Sequence, residues 1–247
     1  MGIDVHVLGT ASARPTNRRE VSGSAVKCQD GIAVIDCGEG FQNRLVTYRS
    51  EMKAHAGRRL KMSRVAAILL THGHLDHTWG VLPWMQTMAL DGRKDKLWVI
   101  GPTTSEVIDT LLGSEGEPEV TPSDLVIQYD MWMDLGANSE TLGYEVEWIL
   151  GDGERWVNMN DGSQVDLPQP LKKITISAHS TQHTVPSCAW KISTDGRKGK
   201  FNREATQNLP DPIKAELASG SDVEHEGELL EAINFRSNYR PGQSVII

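Results

Sequence analysis

The sequence predicts an α/β sandwich in which two sheets pack back to back with helices outside, and three observations lead there. Short apolar runs alternate with helix-like stretches from Ile3 onward, two further β stretches are hairpin-like, and no GxGxxG or GxxxxGK[ST] phosphate loop follows the first strand. The first two features call for layered sheets. The third argues against a doubly wound parallel fold.

The elements follow in order. Ile3 to Leu8 alternates as a strand and stops at the small-residue loop Gly9 to Thr16. Ser24–Cys28 and Ile32–Asp36 read as two more strands, the second short and buried. Asp36-Cys37-Gly38-Glu39-Gly40 turns the chain into a helix from Phe41 to about Met52. Residues 54–64 form a basic connector, and Val65 to Leu70 is an apolar strand. A helix is predicted from Trp79 to Ala89, a strand from Lys96 to Ile100, and a helix over Thr104–Leu112 with the threonine at its cap. Residues 113–170 are rich in Gly, Pro and acids, yet Trp132, Trp148 and Trp156 argue against disorder there. Tyr144–Leu150, Lys173–Ala178 and Ser187–Ile192 read as strands. Gly199–Glu231 is a polar excursion with a helix near Ile213–Leu217, and Val245–Ile247 is an apolar edge strand.

Composition sets outer bounds. Apolar residues make up 38% and charged residues 23% of 247, enough for a core. No apolar run approaches the ~18 residues of a membrane span, and the N-terminus has no signal-like core. Cys28, Cys37 and Cys188 are odd in number and form no metal-type pair. They read as single buried thiols in a reducing, cytoplasmic setting. The net charge of −8 hides a division. Residues 1–65 carry eleven Lys and Arg against six acids, and the remainder fourteen against twenty-seven. Between Thr104 and Pro170 fifteen acids face Arg155 alone. The basic part, with Arg58, Arg59, Lys61 and Arg64, is either a phosphate-holding patch or a solvated loop.

The chemistry concentrates at Thr71-His72-Gly73-His74-Leu75-Asp76-His77. Three histidines and an aspartate fall within six positions, in a chain with eight histidines. A chance surface cluster is the bland alternative. His72 and His74 are two apart, so on extended backbone both rings point one way and can grip one ion. Asp76 and His77 can face a second ion as the chain turns into the next helix. Such ligands suit zinc, and also manganese or iron. A strand-end histidine elsewhere would complete the first set. His183 is the candidate and His179 the reserve.

With these residues in view the chain resembles ribonuclease Z, the tRNA 3′-processing endonuclease of the metallo-β-lactamase fold. The HxHxDH motif carries the fold. Finer signals are Leu8-Gly9-Thr10-Ala11-Ser12-Ala13-Arg14-Pro15-Thr16, Asp36-Cys37-Gly38-Glu39-Gly40-Phe41-Gln42, His183-Thr184-Val185-Pro186-Ser187 and Gly199-Lys200-Phe201-Asn202. The resemblance implies a metallo-β-lactamase αββα sandwich over 1–247, C-terminally incomplete. It also implies a protruding tRNA-gripping arm at 200–231 and an acidic, insertion-like segment at 113–170. His72, His74 and His183 would ligate one zinc, and Asp76 and His77 the other, with Asp76 also as general base. Asp36 would support the site from beneath.

Three departures accompany it. The arm has Asp211-Pro212 where the family has Gly-Pro, and Lys214 is its one lysine after Lys200. The acidic segment is long. The family's Ser-Gly-Asp-Thr, His-Glu pair and final histidine have no counterpart after Val245–Ile247. Two zinc ions per complete site are therefore expected, with about one retained here, manganese being an alternative, and little or no nuclease activity from the chain alone. The implied partners are precursor tRNA and either a second copy in a homodimer or a separately encoded C-terminal fragment, with no membrane. A non-catalytic RNA-binding or complementing subunit, or another metal-dependent phosphodiesterase or hydrolase, are the competing readings.

Overall fold

The most continuously apolar segments lie at the centre of an eight-stranded sheet. In the computed structural model, which describes residues 2–57 and 60–247, β1 (Asp4–Gly9), β2 (Gly23–Lys27) and β3 (Ile32–Cys37) form an antiparallel meander. β4 (Val65–Leu69), β5 (Leu97–Pro102) and β6 (Val146–Gly151) add parallel to β3 in that order. β7 (Trp156–Asn158) and β8 (Gln164–Val165) return antiparallel at the far edge. Parallel strands covered on both faces read as unbroken apolar runs. That is the character of β3 and β4.

Alternation within those runs decides which face each side chain serves. Val34, Ile68, Val99 and Trp148 gather with Phe41 and Leu45 of α1 (Phe41–Ala56). Helices α2 (Leu75–Thr78), α3 (Val81–Leu90) and α4 (Ser105–Leu111) follow the strands. Trp84 and Met85 of α3 join the same core, as does Trp132 of α5 (Leu125–Asp134). α6 (Ser139–Leu142) precedes β6.

The intervening residues Ala33, Ile35, Ala67, Leu69 and Ile100 face a second sheet. That sheet contains β9 (Thr175–Ser180) and β10 (Cys188–Ser193), paired antiparallel. Its Ile176, Trp190 and Ile192 complete the inter-sheet core. Trp190 is fully buried, and its indole N–H donates to the Leu70 carbonyl at 2.9 Å. The second sheet is thereby fastened to the residue just before the histidine motif.

Thr194–Gln243 form a second compact unit. It contains α7 (Asp211–Ser219) and the hairpin β11 (Val223–His225)–β12 (Glu228–Leu230). Its small core is Leu217, Val223 and Ala232. The expected arm at 200–231 falls inside this unit. β13 (Ser244–Ile246) then belongs to the first unit and pairs with β10 as an edge strand. Val245 and Ile247 pack into the inter-sheet core while Ile246 is 62% exposed.

The structure adds three α-helices that the sequence reading did not place, α2, α5 and α6. The helix expected over Trp79–Ala89 is α3, and α2 precedes it as a separate short turn. The Gly80 N–H donates to the Cys37 carbonyl at 2.8 Å, so the helical ladder breaks there. The 113–170 segment is ordered, as its tryptophans imply: Trp132, Trp148 and Trp156 are each at most 4% exposed, and the expected strand at Tyr144–Leu150 is β6, with α5, α6, β7 and β8 around it. In the basic connector Arg64 donates to the Gln29 carbonyl at 2.5 Å, a structural use; Arg58 and Arg59 lie outside the described residues. Among the described residues no helix is long and apolar enough to cross a membrane.

All three cysteines are free and buried. Burial raises the Cys28 thiol to about 11 and the Cys188 thiol to about 12, and lifts Cys37 well above its ordinary value. The thiolate is the reactive form. At pH 8 an aromatic disulfide reagent should therefore leave the native protein unlabelled over minutes and label three thiols per chain in denaturant. Rapid labelling of the native chain would contradict this burial.

Candidate metal centre

The site begins with a buried carboxylate. Asp36 closes β3 at 2% exposure with φ of 56°, a left-handed conformation uncommon outside glycine. There it accepts hydrogen bonds from the Thr71 backbone N–H at 2.8 Å and the Ser22 hydroxyl at 3.0 Å. The Thr71 hydroxyl donates to it as well, 3.0 Å from either oxygen. The fourth partner is His77, whose Nδ1 lies 2.6 Å from Oδ2. Two loops that follow neighbouring parallel strands are thus joined by one side chain.

These bonds settle the orientation of the rings. A carboxylate only accepts, so His77 carries its proton on Nδ1 and keeps the Nε2 lone pair free. That Nε2 stands 3.6 Å from Oδ2 of Asp76. The Thr71 hydroxyl has spent its one proton on Asp36 and must accept from His72 Nδ1, 3.0 Å away. His72 therefore also presents Nε2. Burial, with the neighbouring His77 adding to it, lowers His72 to about 4, so the ring is neutral at physiological pH. Burial alone would lower His77 too. Its hydrogen bond to Asp36 and the charges of Asp36 and Asp76 outweigh that and raise it.

His183 reaches the cluster from the other sheet. β10 begins beside the motif, where Cys188 N donates to the Thr71 carbonyl at 2.9 Å and His72 and Ser187 form a β-bridge. The preceding loop is closed on itself by Thr181 N–H to Ser187 O at 3.0 Å and by their hydroxyls at 2.8 Å. His183 at its tip sets Nε2 3.3 Å from Nδ1 of His74. One ring nitrogen each from His72, His74 and His183 lie within 4.8 Å of one another, so these three can hold a metal ion. His179 does not join them. It projects from β9, exposed, with Nε2 3.3 Å from the Ser177 hydroxyl.

Three supports were not foreseen. Gln128 of α5, 1% exposed, donates its amide to the Gly73 carbonyl and pins the loop between His72 and His74. Nothing at residue 128 marks it in the sequence, because its partner is 55 residues away. The Thr71 and Ser22 hydroxyls are likewise unmarked. Glycines do carry a signal. A Cβ on Gly38 would stand 2.0 Å from the Asp76 carbonyl, and one on Gly73 would stand 1.9 Å from that of Ser123. Only glycine permits these approaches.

A histidine–aspartate motif at the edge of a two-sheet sandwich, completed by a histidine from the second sheet, defines a metal-binding α/β protein. Residues 26–153 match the metallo-beta-lactamase superfamily, and the chain belongs to that superfamily, whose members are metal-dependent. It is similar to ribonuclease Z. Identity is 30% over 242 residues to the enzyme of Methanosarcina mazei, covering 97% of this chain and 65% of that one. To that of Staphylococcus aureus it is 25% over 251 residues, covering 99% and 68%. The chain thus spans about two thirds of the length of these curated relatives. The short form of human tRNase Z aligns over 76% of this chain and 64% of its own, at 19% identity and a TM-score of 0.45.

Replacing Asp36 by Ala would strand the Thr71, Ser22 and His77 donors in a buried space. Removing one partner of a buried charged network typically costs about 3 kcal/mol or more. Denaturant unfolding of Asp36→Ala should show a loss of that order. A loss below about 1 kcal/mol would mean that the carboxylate does not organise these loops.

Proposed function

We propose that this chain is a zinc-dependent endoribonuclease of the ribonuclease Z type that removes the 3′ trailer of precursor tRNA by two-metal phosphodiester hydrolysis. The observation that carries the reading is the convergence of His72, His74 and His183 beside the Asp76–His77 pair, in a chain similar to ribonuclease Z along 97% of its length. The donor set suits zinc. One ring nitrogen from each of the three histidines lies within 4.8 Å of the others, with His74 Nδ1 and His183 Nε2 3.3 Å apart, close enough to share one ion. Manganese accepts the same ligands less selectively. His72, His74 and His183 hold the first ion, and Asp76 and His77 offer ligands to a second. Three ligands against two make the first position the tighter.

Bound zinc supplies an acidified water and neutralises charge on the phosphoryl oxygens. The remainder falls to the chain. Asp76, with its side chain 16% exposed, is largely desolvated in the site and accepts the proton of the attacking water. His77 is held by Asp36 and keeps Nε2 directed to the same place. The partner is precursor tRNA, and the segment 200–231, which lies within the unit Thr194–Gln243, is the arm that would grip it. A cytoplasmic location, and a homodimer or a complementing fragment, complete the reading.

The zinc-loaded chain incubated with a precursor tRNA should cut slowly at the 3′ trailer, faster as zinc is added beyond one ion per chain. Asp76→Ala should lower that rate by about 10²-fold or more, with unfolding unchanged. Tight binding of the tRNA without cleavage would replace this reading with a non-catalytic RNA-binding subunit. Turnover of a small chromogenic phosphodiester alone would replace it with a different hydrolase, and an active Asp76→Ala would remove the base assignment.

A further inference from the structure

We propose that Trp79 is a stacking platform for the nucleobase beside the scissile phosphate, an inference that rests on the ribonuclease reading of the same site. The chain has seven tryptophans. Five of them, at 84, 132, 148, 156 and 190, are at most 4% exposed, but Trp79 is 53% exposed. It is not on a remote surface. With Leu75 it lines the cavity of about 840 Å³ that contains His72, His74, Asp76, His77 and His183. Leu75 is 51% exposed and one helical turn before Trp79, so both apolar side chains stand on the same rim.

The backbone beneath Trp79 is fixed on both sides. Its own N–H donates to the Leu75 carbonyl at 2.9 Å, and the next N–H, of Gly80, donates to the Cys37 carbonyl at 2.8 Å. Asp76 precedes Trp79 by three residues, so the indole rises one turn from the proposed base. An exposed aromatic ring on fixed backbone, next to a phosphodiester-cleaving group, offers an unstacked base a flat apolar face.

Charge narrows the occupant. Among the described residues, none of those lining this cavity is Lys or Arg, whereas Glu39 and Asp76 line it. Outside the metal position, then, no Lys or Arg in this lining attracts a phosphate. Affinity for the neighbouring nucleotide must come from the base, by stacking on an indole face, which tolerates any base. The acidic wall also disfavours a duplex, whose paired strands bring many phosphates at once. A single-stranded 3′ end meets both conditions.

The test is equilibrium binding of a short labelled single-stranded RNA to the zinc-loaded full chain, followed by anisotropy. Trp79→Leu should weaken binding by roughly 5- to 150-fold, the usual effect of losing one stacked base, and Trp79→Phe should retain most of the affinity. Zinc content equal to wild type shows that each variant keeps the site. The same RNA is then made abasic at one position at a time. One abasic position should cost the wild-type chain about what Trp79→Leu costs, and should cost Trp79→Leu nothing further. Equal affinity of Trp79→Leu and wild type, or additive losses at every abasic position, would overturn the stacking role and leave the nuclease reading standing. Failure of the wild-type chain to bind single-stranded RNA would overturn both.

Discussion

The site depends on a buried carboxylate. Asp36 sits near the end of β3 with four donor groups on its two oxygens, two from Thr71 and one each from Ser22 and His77. Thr71 N–H fixes where β4 ends. The Thr71 hydroxyl passes the constraint on to His72. His77 is held directly. An unpaired carboxylate at 2% exposure would be costly, so the loops cannot drift apart without stranding it. One interaction thus sets two imidazole tautomers and the spacing between two loops. The strained backbone at Asp36 is consistent with a residue placed by its contacts rather than by local preference.

The second constraint is the joint between the sheets. Trp190 donates to Leu70, and Cys188 N–H donates to Thr71, so β10 is tied to β4 in the two residues before the motif. The loop carrying His183 hangs from that joint. A histidine more than 100 residues distant in sequence is brought to His74 by sheet packing, not by any local spacing. This is why inter-sheet core and site are one structural problem. Weakening the packing around Trp190 would loosen the third imidazole before it touched the first two.

Much of this was legible in the sequence, for definite reasons. Apolar runs such as Ile32–Cys37 and Val65–Leu69 have one reading, a buried strand. The clustering of His72, His74, Asp76 and His77 is too dense for an ordinary surface. His183 was preferred to His179 as the strand-end histidine that completes the set, although both lie near strand ends; the tertiary structure shows that His179 points elsewhere. The break between α2 and α3 was hidden, since it depends on the Cys37 carbonyl competing for the Gly80 N–H. Gln128 and Ser22 were hidden for the same reason. Their roles are hydrogen bonds to distant backbone or to a buried acid, and such partners leave no local pattern. The order of the 113–170 segment was legible in its tryptophans despite its acidity, whereas helices α5 and α6 were not. Its acids are largely surface, while three tryptophans and α5 hold it against the sheet.

The central claim is that three imidazoles from two sheets form one tight metal position. Zinc content by mass spectrometry and calorimetric affinity, measured on the wild-type chain and on His183→Ala and His179→Ala, test it most directly. About one tightly held zinc ion per chain is expected in the wild type and in His179→Ala. In His183→Ala that affinity should fall by at least tenfold. Undiminished zinc binding by His183→Ala, or its loss in His179→Ala, would contradict the site described here.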